Sequence, residues 1–282
     1  MPDHRVLLDG LVLGESPRWH DGALWVCDWG AGELLTVTPD GRRGTALGVD
    51  TFPFCIDWLP DGRLLLVSGG DARLLRREPD GSTALHADLR DLSDRPWNEV
   101  VADGRGNAYV NGIGFDLMAG EAPGPGLIAL VTPDGRARTV AGDLGFPNGM
   151  ALTPDGRTLL VAESYASRLT AFDIGPDGGL SGRRTWAEVP GSAPDGICLD
   201  AEGLVWFADV PGRRCVRVRE GGAVERTVDL DRGGFSCALG GPDGRTLYVT
   251  AAEWHGPAAA GGAAPTGRVL AVPAPAGPAP RP

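Results

Sequence analysis

The stretch Gly145–Ser164, GFPNGMALTPDGRTLLVAES, decides how the rest of the chain is read. Two short apolar runs, GMALT and TLLVAE, flank the sequence PDGR, so the segment reads as two strands joined by a tight turn. Asn148, held between Pro147 and Gly149, admits two readings. Pro-Asn-Gly is turn chemistry, because Asn and Gly tolerate positive φ and Pro restricts the backbone before them. Alternatively, the Asn148 carboxamide is a ligand.

The hairpin recurs along the chain, and that recurrence carries the fold. Copies begin at Asp21 (DGALWVCDWGAGELLTVTPDG), Asp61 (DGRLLLVSGGDARLLRREPDG), Gly104, Asp155, Glu202 and Asp243, spaced 40, 43, 51, 47 and 41 residues apart. A short apolar stretch precedes and follows each copy, which makes four strands per unit. Strand-rich units of this length, punctuated by Gly and Asp and nearly free of helical periodicity, predict an all-β, six-bladed β-propeller with four-stranded blades. A single domain over residues 1–272 accounts for all six copies. RVLLDG, Arg5–Gly10, has the phase of a fourth strand with no blade of its own. It is expected to complete the sixth blade and close the ring, which removes exposed sheet edges. The remainder, residues 273–282, is Pro-rich and is expected to form a disordered tail outside the fold.

Composition narrows the partners. The 282 residues carry 26 basic and 37 acidic side chains, a net charge of −11, the wrong sign for binding nucleic acid or anionic membrane. Every basic residue is Arg, so lysine Schiff-base chemistry and a Walker phosphate loop are excluded. Met1–Gly10 lacks the apolar core of a signal peptide, and no apolar run is long enough to span a bilayer. A cytoplasmic protein acting on a small molecule, as a monomer or weak homodimer, is expected. The five cysteines are scattered without C-x-x-C spacing, which argues for core thiols over disulfides or a thiolate zinc site.

In a propeller the first strand of every blade lines the central channel. The residue seven positions before each second-strand turn is Phe54, Asn98, Asn148, Asp195 and Ser236, and in the first blade Glu15 stands six before Asp21. Two carboxylates and two carboxamides therefore converge on one small volume. Buried like charges require a compensating cation or raised pKa values. Oxygen donors without His or Cys favour calcium, magnesium or manganese over a typical zinc site. One divalent cation is expected, calcium first, with magnesium, manganese or zinc as alternatives. No G-x-S-x-G occurs, and His4, His20, His86 and His255 are placed in loops or termini outside this register, against a Ser-His-Asp hydrolase.

GESPRW (Gly14–Trp19), FPNGMALTPDGRTLLVAES, RLTAFDI (Arg168–Ile174), PDGICLDAEGLVWFAD (Pro194–Asp209) and SCALGGPDGRTLYVTAA (Ser236–Ala252) together resemble the regucalcin, gluconolactonase and luciferin-regenerating enzyme family. The resemblance implies a six-bladed propeller with one divalent cation in its channel and a metal-dependent lactonase, a carboxylic ester hydrolase. It implies Glu15, Asn148 and Asp195 as metal ligands, Asp195 also as general base, and Asn98 as a substrate contact. Family members usually read Arg, one residue, then Asn-Asp-Gly. Here RPWNEV moves Arg95 one residue further from Asn98, interposes Trp97 and puts Glu99 in place of the Asp. That departure puts the sugar lactone as substrate in question and motivates one other reading, while the propeller fold, which also serves as a scaffold, keeps a second. One is a different reaction, such as phosphoester hydrolysis or tailoring of a secondary metabolite; the other is a non-catalytic calcium-binding scaffold. Gly112–Gly126, GIGFDLMAGEAPGPG, lies where the family carries a lid, here bringing Glu121 or Met118 to substrate, or else is a solvated connector. Phe54 and Trp97 read either as an apolar wall of the pocket or as core aromatics.

Overall fold

Each repeat copy read from the sequence forms the two middle strands of a four-stranded antiparallel sheet in the computed structural model, which describes residues 4–256 and 264–282. The first strand is β1 (Arg5–Leu11). Blade 1 follows as β2 (Gly14–His20), β3 (Ala23–Asp28), β4 (Glu33–Val37) and β5 (Arg43–Gly48). Blade 2 is β6 (Phe54–Trp58), β7 (Leu64–Ser68), β8 (Arg73–Arg77) and β9 (Thr83–Asp88). Blade 3 is β10 (Trp97–Ala102), β11 (Ala108–Gly112), β12 (Gly126–Val131) and β13 (Ala137–Leu144). Blade 4 is β14 (Pro147–Leu152), β15 (Thr158–Glu163), β16 (Arg168–Ile174) and β17 (Leu180–Glu188). Blade 5 is β18 (Pro194–Leu199), β19 (Val205–Asp209), β20 (Arg214–Val218) and β21 (Val224–Asp229), and blade 6 is β22 (Gly233–Gly240), β23 (Thr246–Ala252), β24 (Gly267–Pro273) and the returning β1.

The protein is a six-bladed β-propeller closed by its N-terminal strand. β1 lies antiparallel to β24, with Arg5 opposite Ala271 and Leu11 opposite Gly267, so the first and last parts of the fold share one sheet. The inner strands β2, β6, β10, β14, β18 and β22 contact one another in ring order around the channel. Inner strands such as β14 and β22 are buried along their whole length, while outer strands such as β5 and β17 are mostly exposed. The core sits between blades: Leu65 and Val67 of blade 2 meet Val100 and Val110 of blade 3, and Leu160 and Leu169 of blade 4 meet Ile197 and Phe207 of blade 5.

The C-terminal residues differ from the sequence expectation. Residues 274–282 are not a disordered tail but lie across the channel end formed by the second-strand turns. The Ala274 amide donates to Arg245 O at 2.9 Å, the Ala201 amide to Gly277 O at 2.9 Å and the Ala279 amide to Leu199 O at 3.0 Å. Ala274 and Ala276 are buried, and Arg281 reaches the buried Asp57 carboxylate in the channel wall. A Pro-rich segment suits this course because it holds an extended backbone with few amide protons to satisfy. The sequence signal for extension was real; what it lacked was any sign of the surface that receives the segment.

Candidate active site

The opposite end of the channel is built by bulges. In five of the six blades the inner strand slips register against its neighbour, at Glu15/Arg18, Trp97/Val100, Pro147/Met150, Pro194/Ile197 and Gly234/Ser236. A bulge breaks the in-out alternation and re-aims side chains. Asn98, Asn148 and Asp195 fall within these irregular steps, Glu15 begins one, and all four line one cavity of about 1030 Å³. Strand β6 has no such slip, and Phe54 stays paired with Ser68.

The Asn-Gly and Asp-Gly pairs are not turns. Both lie inside strands, and neither Gly149 nor Gly196 has a left-handed φ. A Cβ on Gly149 would stand 2.4 Å from Ile197 N, and one on Gly196 would stand 1.9 Å from Ser236 Oγ. These glycines let neighbouring inner strands close on one another, which draws Asn148 and Asp195 to the same mouth. Ser236 is spent on this packing, its amide donating to Thr250 Oγ1 at 3.1 Å, and does not line the cavity.

Asn98 Nδ2 donates to Asn148 Oδ1 at 2.9 Å, and Asn148 Nδ2 donates to Ser164 Oγ at 3.3 Å. Ser164 in turn donates to Pro194 O at 2.7 Å, tying blade 4 to the residue before Asp195. The Asn148 carbonyl accepts from Asn111 Nδ2 at 2.6 Å. Burial, followed by the charges of Asp195 and Glu99, pushes the Glu15 carboxyl well above its ordinary pKa. Burial, followed by Glu99 and Asp209, does the same to Asp195. The site thus confines more negative charge than it neutralises.

One level further along the channel the charge is balanced. Arg18 Nη2 donates to Glu99 Oε2 at 3.0 Å and to Val100 O at 3.3 Å, and Arg18 Nε lies 3.9 Å from Asp57 Oδ1. Burial alone would favour a neutral Arg18, but Glu99 and Asp57 outweigh it and raise its pKa. Ser16 Oγ donates to Glu99 Oε1 at 3.2 Å and accepts the Ile56 amide at 3.2 Å. Arg18 and Asp57 were missed in the sequence, although each stands three residues beyond its blade's channel position.

Three buried carboxylates hold the loops that carry Glu15, Asn148 and Asp195. Asp28 accepts the Val12 and Leu13 amides at 3.1 and 3.0 Å, Glu163 the Gly145 amide at 2.7 Å, and Asp209 the Ala193 amide at 3.1 Å. Each ends the second strand of its own blade. The corresponding residues in blades 2, 3 and 6 are Ser68, Gly112 and Ala252, so the device is confined to the three blades in question.

The remaining candidates divide. Arg95 lines the cavity and pairs with Glu121 at 2.9 Å. Glu121 does not line it; its carboxylate accepts the Asp116 amide at 2.8 Å and so orients Arg95 and the loop. Trp97 and Phe54 are both fully buried core aromatics and form no wall of the pocket. Trp97 precedes the bulge, on the face that packs against Gly112, and Phe54 lacks a bulge altogether. Within Gly112–Gly126, Ile113, Asp116, Leu117 and Met118 reach the cavity. His20 and His86 lie in β2 and β9 and not in loops, and neither lines the cavity. All five cysteines are free thiols.

Together the fold and this mouth define a six-bladed propeller with an acid and amide cluster at one end of its channel. The chain belongs to the SMP-30/Gluconolactonase/LRE-like family, whose sequence model matches residues 13–253. A pentonolactonase of Haloferax volcanii is 30% identical over 91% of this chain and 87% of its own. A 6-deoxy-6-sulfogluconolactonase of Pseudomonas putida is 29% identical over 86% of this chain and 84% of its own. The crystal structure of a calcium-binding regucalcin from Agrobacterium tumefaciens superposes with a TM-score of 0.78 at 22% identity, covering 99% of this chain and 95% of that one.

Proposed function

We propose that the chain is a divalent-cation-dependent lactonase working at the mouth of the channel. The observation that carries this is the convergence of two carboxylates, the buried Glu15 and the partly buried Asp195, with the Asn98–Asn148 carboxamide pair on one cavity. The lactonase names of full-length relatives support it. Among the described residues no three His, Cys, Asp or Glu side chains cluster as a metal site. The donor set fits a hard divalent cation nonetheless, because two carboxylates and a carboxamide oxygen supply charge and oxygen without softer ligands. Glu15, Asn148 and Asp195 would hold it. Calcium is the first candidate, as in the calcium-binding regucalcin, with magnesium, manganese and zinc to be tested beside it.

When bound, the cation would supply Lewis acidity toward the lactone carbonyl. The chain's own residues do the rest. Asp195 accepts the proton of the attacking water. Asn98 hydrogen-bonds the substrate in place of its contact with Asn148, and Arg95 stands at the rim to orient it. Ring opening of a lactone panel should vanish after chelation and return with one of the four cations. If no lactone opens with any of them, the hydrolase reading fails, and the calcium-binding scaffold replaces it if cation still binds.

A further inference from the structure

Outside its polar floor the cavity is aromatic on three sides. Trp29 and Phe52 meet edge-on at 5.2 Å where blades 1 and 2 adjoin. Phe146 and Tyr165 meet at 4.9 Å on blade 4, backed by Phe115 at 5.3 and 5.8 Å. Phe235 and Trp254 meet at 5.7 Å on blade 6. The first two rings of each group line the cavity, with Met118 and Leu117 from the blade 3 insertion beside them. Phe52, Met118 and Tyr165 are 39%, 38% and 53% exposed, and they are half of the large hydrophobic side chains exposed among the described residues. The other three, Val6, Leu85 and Val224, do not line the cavity, whereas these gather around one opening. Concentrated exposure of this kind marks a binding surface.

The charged groups of the rim are largely paired with one another. Arg90 pairs with Asp88, Arg95 with Asp94 and Glu121, and the Arg213 guanidinium donates to Asp231 O. Asp71 accepts from Ser68 Oγ at 2.6 Å, and Asp116 from the Ala119 amide at 2.9 Å. A polyhydroxylated ring entering this rim would have to compete with these pairings for its hydrogen bonds, and each hydroxyl left without a partner costs roughly tenfold in affinity. An apolar substituent gains from the same surfaces. The cavity is also at the upper end of the range that encloses drug-sized ligands, larger than a lone sugar lactone fills.

We propose that the lactone opened here carries an aryl or alkyl substituent that lodges against the Trp29–Phe52, Phe146–Tyr165 and Phe235–Trp254 groups. This rests on the lactonase reading above. The experiment compares δ-valerolactone, its phenyl- and hexyl-substituted forms and gluconolactone, using the full chain with saturating calcium. The substituted δ-valerolactones leave with similar alkoxides, so differences report binding of the substituent. Their kcat/KM should exceed that of the bare ring and of gluconolactone by at least about tenfold, mostly through KM. Phe52→Ala and Tyr165→Ala should cancel most of that preference while leaving δ-valerolactone turnover within about twofold. Equal or better use of gluconolactone, or losses shared by every substrate, would overturn the assignment while the lactonase reading stands. If no lactone is opened, calorimetry with phenyl-δ-valerolactam against δ-valerolactam decides separately: tighter phenyl binding lost in Tyr165→Ala supports the aromatic rim, and equal binding refutes it.

Discussion

The Asp209 carboxylate accepts the Ala193 amide at 3.1 Å, two residues before Asp195, and is itself fully buried and paired with Arg214 at 2.9 Å. Asp209 therefore fixes the loop from which Asp195 enters the cavity. Asp209→Ala should weaken divalent-cation binding about tenfold, as loss of outer-shell support commonly does. Asp200 offers the control, since it caps the Glu202 and Leu204 amides at the other channel end. Asp200→Ala should lower the unfolding midpoint comparably but leave cation affinity unchanged. Equal affinity losses in both variants, by calorimetry, would reduce Asp209 to a structural role.

Arg18 and Glu99 form a buried pair one level along the channel, with side chains 13% and 7% exposed. Arg18→Met leaves Glu99 and Asp57 without their shared cation, and removal of one partner from a buried pair costs about 3–5 kcal/mol. Urea unfolding should show a loss of that order, and Glu99→Gln in the same chain should restore part of it. No change in the midpoint would mean that water reaches this level and screens the charges.

The repeat made the blades legible because turn glycines and strand runs are local signals, and the same register brought out Glu15, Asn98, Asn148 and Asp195. Bulges were not legible. Phe54 and Asn98 occupy the same register position, yet only the strand that slips turns its residue to the channel. Trp97 and Glu121 likewise sit beside cavity residues in the sequence while facing the core or another loop residue in space. The Arg281–Asp57 contact spans most of the chain, and nothing near either residue announces it.

The mouth should make metal-free stability pH-dependent. Glu15 and Asp195 both have raised carboxyl pKa values, by burial first and then by neighbouring carboxylates. Their folded-state stability is full below the unfolded carboxylate value of about 4, because both states are then protonated. Above it the unfolded chain releases protons that the folded site retains, so stability falls as pH rises through the folded values. Asp195→Asn removes its share, and the stability of this variant relative to wild type should grow as pH rises above about 4 in dialysed, metal-free protein. Saturating cation should abolish that growth. A difference independent of pH would contradict a raised carboxyl pKa at Asp195.

Residues 274–282 should contribute measurably to stability. Ending the chain at Pro273 removes the backbone bonds at Arg245, Gly277 and Leu199 and exposes Asp57. At about 1 kcal/mol for each bond, the unfolding free energy should drop by roughly 3 kcal/mol. Arg281→Ala alone should cost less, about 1 kcal/mol, because the arginine is itself largely exposed. An unchanged midpoint for the shortened chain would show that the segment only rests on the surface.

Asp195 carries the central claim, as ligand and as base, and the two roles separate in a single titration. Lactone turnover is measured against cation concentration for wild type, Asn148→Ala and Asp195→Asn. Asn148→Ala should recover much of its rate at high cation, since it loses only a ligand. Asp195→Asn keeps an oxygen but not the basicity, so its turnover should remain about 10² to 10⁴ below wild type at saturation. Full recovery of Asp195→Asn at saturating cation would contradict the account, leaving Asp195 a ligand only and the base elsewhere.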